Sequence, residues 1–400
     1  MAGDEALFNP LDPGVHADPY PYYRRLREAD PVHLSPLGLW VLTRYDDCVT
    51  SLRDPRFGRD GFEPILAAQY GDESEGGRLP RSMLFRDPPD HTRLRSLVNR
   101  AFTPRVIEGM RGQIRDLVDR LLDRVERRGH MDVIADLAYP LPVTVICDML
   151  GVPSGDHERI REWSSDIIRS LDAIGIPSDP AIVERGRVGR RGIADYFRAL
   201  LPERRRRPRA DLLSSLIAVE EQGDRLTEGE LLSTCVLLFI AGHETTVNLI
   251  GNGLLALLRH PDQLERLRAE PGLIASAVEE LLRFDSPVQR TARITNAEVE
   301  IGGKTIPEGA FVVTAIGAAN RDPAQFPDPD RLDIARSDNR HIAFGFGIHF
   351  CLGAPLARVE GQLALGALLR RMPKLRLGGE ELEWRESSTL RGLKALPVEF

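Results

Sequence analysis

Residues 344–353 read FGFGIHFCLG, and they carry the clearest chemistry in the chain. Gly345 and Gly347 permit positive φ and let the backbone approach another group closely. Cys351 follows at the entrance to a helix, where free N–H groups and the positive end of the dipole favour a thiolate over a thiol. A lone thiolate is the axial ligand that pushes electron density onto haem iron for O–O cleavage. Two other readings compete. A single cysteine is commonly a buried, inert small hydrophobe. A dinucleotide loop of the form GxGxxG would need glycine at 350, where Phe350 stands, and no βαβ unit surrounds it.

A second cluster is Ala241-Gly242-His243-Glu244-Thr245-Thr246. His243-Glu244 could open the zinc motif HExxH, but position 247 is Val247. The better reading is an acid and an alcohol beside a glycine gap. Gly242 removes side-chain bulk, and Glu244 with Thr245 could relay protons to a bound oxygen species. The plain alternative is a helical threonine bonding the carbonyl a turn back. Glu280 and Arg283 stand at i and i+3 on one helix face. Taken alone, such a pair is usually superficial and worth little.

The elements that position these groups are mostly helical. Helices are expected over Asp18 to Ala29, Asp90 to Ala101, Pro104 to Arg128, Asp156 to Leu171 and Ile182 to Leu201. Thr227 to His260 reads as one long helix, opened by a capping box of Thr227 with Glu230 and apolar on every face at its middle. Gly242, Gly251 and Gly253 interrupt it at about 1 kcal/mol each relative to Ala, which invites a local functional reason. Gly58 to Pro80 reads as a long loop, and Glu203 to Arg209 (ERRRRPR) as a solvated loop between helices. Strands are expected at Leu39 to Thr43, Val299 to Ile301 and Phe311 to Ile316. Residues 319–339 look irregular, and a last helix spans about Leu352 to Met372 before short closing strands. The expected fold is mainly α with a small β portion in a single domain over residues 1–400, with 1–17 loosely ordered.

Composition sets outer limits. Of 400 residues, 42% are hydrophobic and 28% charged, ordinary values for a soluble globular chain. A formal net charge of -7 argues against nucleic acid as partner. The cysteines Cys48, Cys147, Cys235 and Cys351 lie far apart, which disfavours a disulfide framework and agrees with a reducing cytoplasm. The longest apolar run, Cys235 to Ala241, is too short to span a bilayer, so no membrane anchor is expected.

Together the motifs resemble the cytochrome P-450 superfamily, specifically its soluble bacterial type. The family's cysteine loop, FGxGxHxCxG, matches Phe344, Gly345, Gly347, His349, Cys351 and Gly353. Its oxygen-activating helix segment matches Ala241, Gly242, Glu244 and Thr245, with Glu244 in place of the commoner Asp. Its ExxR motif matches Glu280 and Arg283, and Arg331 resembles the usual third partner, although Leu332 replaces the aromatic residue often found there. The resemblance runs from about Asp18 to Phe400.

That resemblance implies a single-domain α-helical prism around haem b (iron protoporphyrin IX), ligated by Cys351. It implies His91, Arg95, Arg293 and His349 as cations for the haem propionates. It also implies a monooxygenase that inserts one atom of O2 into a lipophilic small molecule. Leu237, Ile240, Ala241, Val288 and Thr291 would line the pocket, with the 61–86 loop and the turn Ser388 to Arg391. Electrons would come from a ferredoxin and its NAD(P)H-dependent reductase, with Arg93, Arg100 and Arg105 on the docking face. The expected protein is a cytoplasmic monomer. A peroxygenase, an oxidative coupling enzyme and a non-catalytic recruitment member remain as alternatives; the acid–alcohol pair and Cys351 weigh against them.

Overall fold

The capping box forms. Thr227 donates its N–H to the Glu230 carboxylate at 2.8 Å, and Glu230 donates its N–H to the Thr227 hydroxyl at 3.2 Å. It opens helix Glu228–Arg259, the longest in the computed structural model, which describes residues 9–10, 12–71, 79–220, 226–379 and 381–400. By length and composition this helix could cross a membrane, but 72% of its most apolar window is buried, as in the core helix of a water-soluble fold. Its glycines answer to packing. A Cβ at Gly251 would stand 2.6 Å from Ile134 Cδ1, and one at Gly253 would stand 3.1 Å from Leu281 Cδ1. Close approach of these neighbours offsets the propensity lost to glycine.

The chain forms two compact units. One comprises Met1–Phe57, Arg111–Leu141 and Thr245–Phe400; the other comprises Gly58–Met110 and Pro142–Glu244.

The second unit is helical. Helix His157–Arg169 lies along helix Pro180–Arg206. Their approach is close because Gly186, Gly189 and Gly192 leave room for Ser170 and Trp163; a Cβ at Gly189 would meet the Trp163 carbonyl at 2.5 Å. The expected solvated loop at 203–209 is corrected here, because helix Pro180–Arg206 continues through its first half. Arg204 is the reason. Only 1% exposed, it pairs with Asp211 at 2.9 Å and donates to the Gly151 carbonyl at 2.6 Å. The expected loop from Gly58 is likewise interrupted by helix Glu63–Tyr70, which buries Leu66 and Tyr70 one turn apart and ends at Gly71 with φ +87. Residues 72–78 lie outside the described residues. Helix Asp90–Ala101 has the expected bounds.

The other unit holds the β structure. Strands run in the order Val32–Leu34, Trp40–Leu42, Phe311–Thr314 and Thr291–Thr295. Trp40–Leu42 pairs in parallel with Phe311–Thr314, and the other pairings are antiparallel. Val32, Leu42, Cys48, Leu52, Val312 and Ile316 close a core against this sheet. The expected strand at 311–316 stops at Thr314, where the chain turns into helix Ile316–Ala319. Gly302 and Gly303, with φ +56 and +78, turn the hairpin of Val299–Ile301 and Lys304–Ile306. The closing strand Pro397–Glu399 pairs with both His130–Asp132 and Arg376–Leu377. Near the N-terminus, Pro13–Ala17 forms a short helix capped by Asp12.

Asp211→Ala leaves the Arg204 guanidinium without its buried carboxylate, with only the half-exposed Glu203 at 3.4 Å remaining. Urea unfolding should show a loss of about 3 kcal/mol, whereas Arg205→Ala, at an exposed position, should stay within about 0.5 kcal/mol of the parent.

Candidate active site

Two backbone devices hold the cysteine loop. Gly345 and Gly347 take φ +72 and +70, and a Cβ at Gly347 would collide with the Leu52 carbonyl oxygen at 2.6 Å. Hydrogen bonds then fold the segment back on itself. Gly345 N–H donates to Ile342 O at 2.8 Å, and Cys351 N–H donates to Phe344 O at 2.9 Å. Helix Ala354–Arg371 begins directly afterwards, with Gly353 as its N-cap and Pro355 in the first turn.

Among the cysteines, Cys351 alone is exposed, while Cys48, Cys147 and Cys235 are buried. Burial pushes the Cys147 and Cys235 thiols up to about 12, and Cys48 well above its ordinary value. The inert reading of cysteine therefore belongs to those three. The loop around Cys351 is apolar and open, with Phe346, Ile348 and Phe350 exposed by 40%, 51% and 40%. Among the described residues no group of three or more His, Cys, Asp or Glu could cage a metal ion. One accessible sulfur in an apolar loop is a donor set suited to haem, which brings its own equatorial nitrogens.

Helix Glu228–Arg259 shows a matching asymmetry. Its neighbouring positions are buried, yet Leu237, Ile240, Gly242 and Thr245 are half-buried and Ala241 is exposed. Spacings of three, four and eight put Leu237, Ile240, Ala241 and Thr245 on one stripe. Glu244 beside them is 2% exposed. His243 turns the other way, its Nδ1–H donating to Phe239 O at 2.8 Å and its Nε2 meeting the Ser164 hydroxyl at 3.2 Å.

The remaining expected residues divide between the units. His91 is buried and Arg95 half-buried, one turn apart on helix Asp90–Ala101. In the other unit Arg293 is 2% exposed, and His349, Val288 and Thr291 are half-buried. The turn Ser388 to Arg391 is committed largely to structure: Arg391 pairs with Asp285 at 2.8 Å and lies over the Trp384 ring. Arg93 is engaged by Glu230, Arg105 is exposed, and the Arg100 side chain lies outside the described residues.

Glu280 and Arg283 are not a surface pair. Both are fully enclosed, and the guanidinium is bidentate on the carboxylate, with two contacts of 2.8 Å. Arg283 also donates to the carbonyls of Asn320 and Pro329. The expected third partner needs correction. Arg331 is exposed and meets Arg283 through its backbone carbonyl at 3.3 Å. The second cation on Glu280 is Arg336, at 3.2 Å, joined by Asn339 and by the Asp333 N–H. These donors satisfy the lone pairs of a carboxylate that burial would otherwise penalise heavily.

The profile of the cytochrome P-450 family matches residues 69–373. The polyketide biosynthesis cytochrome P-450 PksS of Bacillus subtilis is 42% identical over 99% of both chains. The chain belongs to the cytochrome P-450 family. The vitamin D(3) 25-hydroxylase of Pseudonocardia autotrophica is 45% identical, over 95% of this chain and 93% of that protein. A cytochrome P-450 solved with an acyl carrier protein bearing hexadec-9Z-enoic acid superposes with TM-score 0.90. It is 42% identical and covers 97% of this chain and 99% of its own. This P-450 is thus a haem-thiolate monooxygenase of the bacterial type, with the mainly α, minor β fold of the family.

The motifs did not point to Glu360. It sits on helix Ala354–Arg371 at 1% exposure. Burial raises its carboxyl to about 8, and the Thr246 hydroxyl offsets this only in part. A neutral acid therefore packs against the helical turn that follows Thr245. An exposed glutamate releases its proton near 4.5, so rising pH favours the unfolded chain across the window from 4.5 to about 8. Glu360→Gln should remove this dependence. Its advantage over the parent in urea unfolding should grow by on the order of 4 kcal/mol between those limits. In the same assay Arg336→Ala should cost about 3 kcal/mol, and Arg331→Ala less than about 0.5 kcal/mol.

Proposed function

We propose that Cys351 ligates haem b and that this P-450 inserts one oxygen atom of O2 into a lipophilic small molecule. The observation that carries the reading is the contrast among the cysteines: three are buried, and the accessible one stands in the glycine loop. Bound haem supplies the oxygen activation. The chain's own residues supply the rest.

Cys351 presents its sulfur just before helix Ala354–Arg371, whose positive N-terminal end favours its anion. His91, Arg95, Arg293 and His349 offer cations to the propionates, whose charge needs hydrogen-bonding partners once it leaves water. Glu244 and Thr245 hold and pass protons at the end of the open stripe. Leu237, Ile240 and Ala241 on that stripe, with Val288 and Thr291, favour an apolar substrate. The relatives' names point the same way, since polyketide, vitamin D and fatty acyl groups are all lipophilic.

Electrons come from a ferredoxin and its reductase in the cytoplasm. Arg105 remains available for docking, whereas Arg93 is already paired with Glu230.

Reduction under carbon monoxide tests the ligand. The parent should give a strongly red-shifted Soret band that Cys351→Ala loses; a band typical of histidine-ligated haem would refute the assignment. Thr245→Ala should cut ferredoxin-driven turnover about tenfold or more while peroxide-driven turnover persists. Peroxide-driven turnover in that variant, combined with no ferredoxin-driven turnover in the parent, would make the enzyme a peroxygenase instead.

A further inference from the structure

We infer that Glu279 and Arg358 form a charge pair that positions the cysteine loop and sets the reduction potential of the haem iron. The inference rests on Cys351 being the axial ligand. Glu279 adjoins Glu280 on helix Ile274–Phe284, but the two acids have different partners. Glu280 is enclosed by Arg283 and Arg336, whereas Glu279 is held by Arg358 and His341.

The geometry is specific. Arg358 Nε and Nη2 donate to the two Glu279 oxygens at 2.7 and 2.8 Å. His341 Nδ1 accepts the Ala343 N–H at 3.2 Å, so its Nε2 carries the proton that is donated to Glu279 at 3.1 Å. The Arg358 guanidinium lies 4.6 Å from the centre of the Phe344 ring. Phe344 is the residue whose carbonyl receives the Cys351 N–H. The cation thus rests on the loop, while its carboxylate is anchored on the helix behind.

Both charges are firmly ionised. Burial would raise Glu279, but the Arg358 and His341 hydrogen bonds outweigh it and hold the carboxyl at about 2. The Glu279 hydrogen bonds raise Arg358, and the charge of Cys351 adds to that effect. Arg358 and the sulfur therefore act on one another electrostatically. A pair with side chains 33% and 28% exposed contributes little to stability, so its field has the larger consequence. With haem held by Cys351, reduction would add an electron, and so negative charge, next to the sulfur. A nearby cation favours that state, and a nearby anion opposes it.

Opposite signs separate this role from simple bracing of the loop. In redox titrations of the haem-loaded protein at low ionic strength, Arg358→Gln should lower the ferrous-to-ferric ratio at fixed potential by about threefold. Glu279→Gln should raise it by about as much, because Arg358 is then uncompensated. Arg358→Lys, which keeps the charge, should stay closer to the parent than Arg358→Gln, and the double Gln variant should fall between the single ones. The carbon monoxide band checks the ligand in each protein. If the red-shifted band is kept and both Gln variants are unchanged, or both move the same way, the inference is overturned. If Arg358→Gln does not retain haem, Glu279→Gln decides alone, and an unchanged or lowered ratio overturns the inference. A parent without the red-shifted band would overturn the ligand assignment itself.

Discussion

One constraint organises this protein: a single thiol must stay accessible while the structure that holds it is buried. The cysteine loop meets it through backbone geometry. Positive φ at Gly345 and Gly347 reverses the chain against Leu52, and the Phe344 carbonyl holds the Cys351 N–H. A side chain at Gly347 would displace the loop from Leu52 and with it the sulfur. Helix Ala354–Arg371, whose start orients the thiol, is in turn packed into the core through Leu356, Val359, Ala364, Leu365 and Leu368. The site is thus a rigid lip on a buried helix.

Charge is buried in this fold where it joins segments distant in sequence. Glu280 and Arg283 gather Arg336, Asn339 and three backbone carbonyls from the irregular 319–339 stretch. A segment with few regular backbone bonds is tied down by side chains of known valence. Arg204 does the same with Asp211 and Gly151, closing the end of helix Pro180–Arg206. Glu360 differs. No cation among the described residues pairs with it, and burial raises its carboxyl to about 8, which makes it a proton-holding group.

Local chemistry was legible in the sequence where neighbours along the chain decide it. Helix Asp90–Ala101 and the capping box at Thr227 depend on residues within a turn or two, and both formed as read. The loop glycines and the pairing of Glu280 with Arg283 belong to the same class. Errors arose where a distant partner decided the outcome. Arg205, Arg206, Arg207 and Arg209 are exposed as the sequence suggests, and only Arg204 departs from that reading, because Asp211 and the Gly151 carbonyl stand beside it. Arg331 was expected to complete the Glu280 network, and the path of the irregular chain brings Arg336 there instead.

By itself the sequence determined the family, the glycine loop around Cys351 and the placement of Glu244 and Thr245 on the central helix. Each is a short pattern whose backbone geometry depends on residues a few positions apart. Tertiary structure alone decided which cysteines are buried, which arginine completes the Glu280 network, that Glu360 is neutral, and that Arg358 rests on the cysteine loop. Those outcomes depend on desolvation and on charges brought together from far along the chain, and no local pattern of residues encodes either.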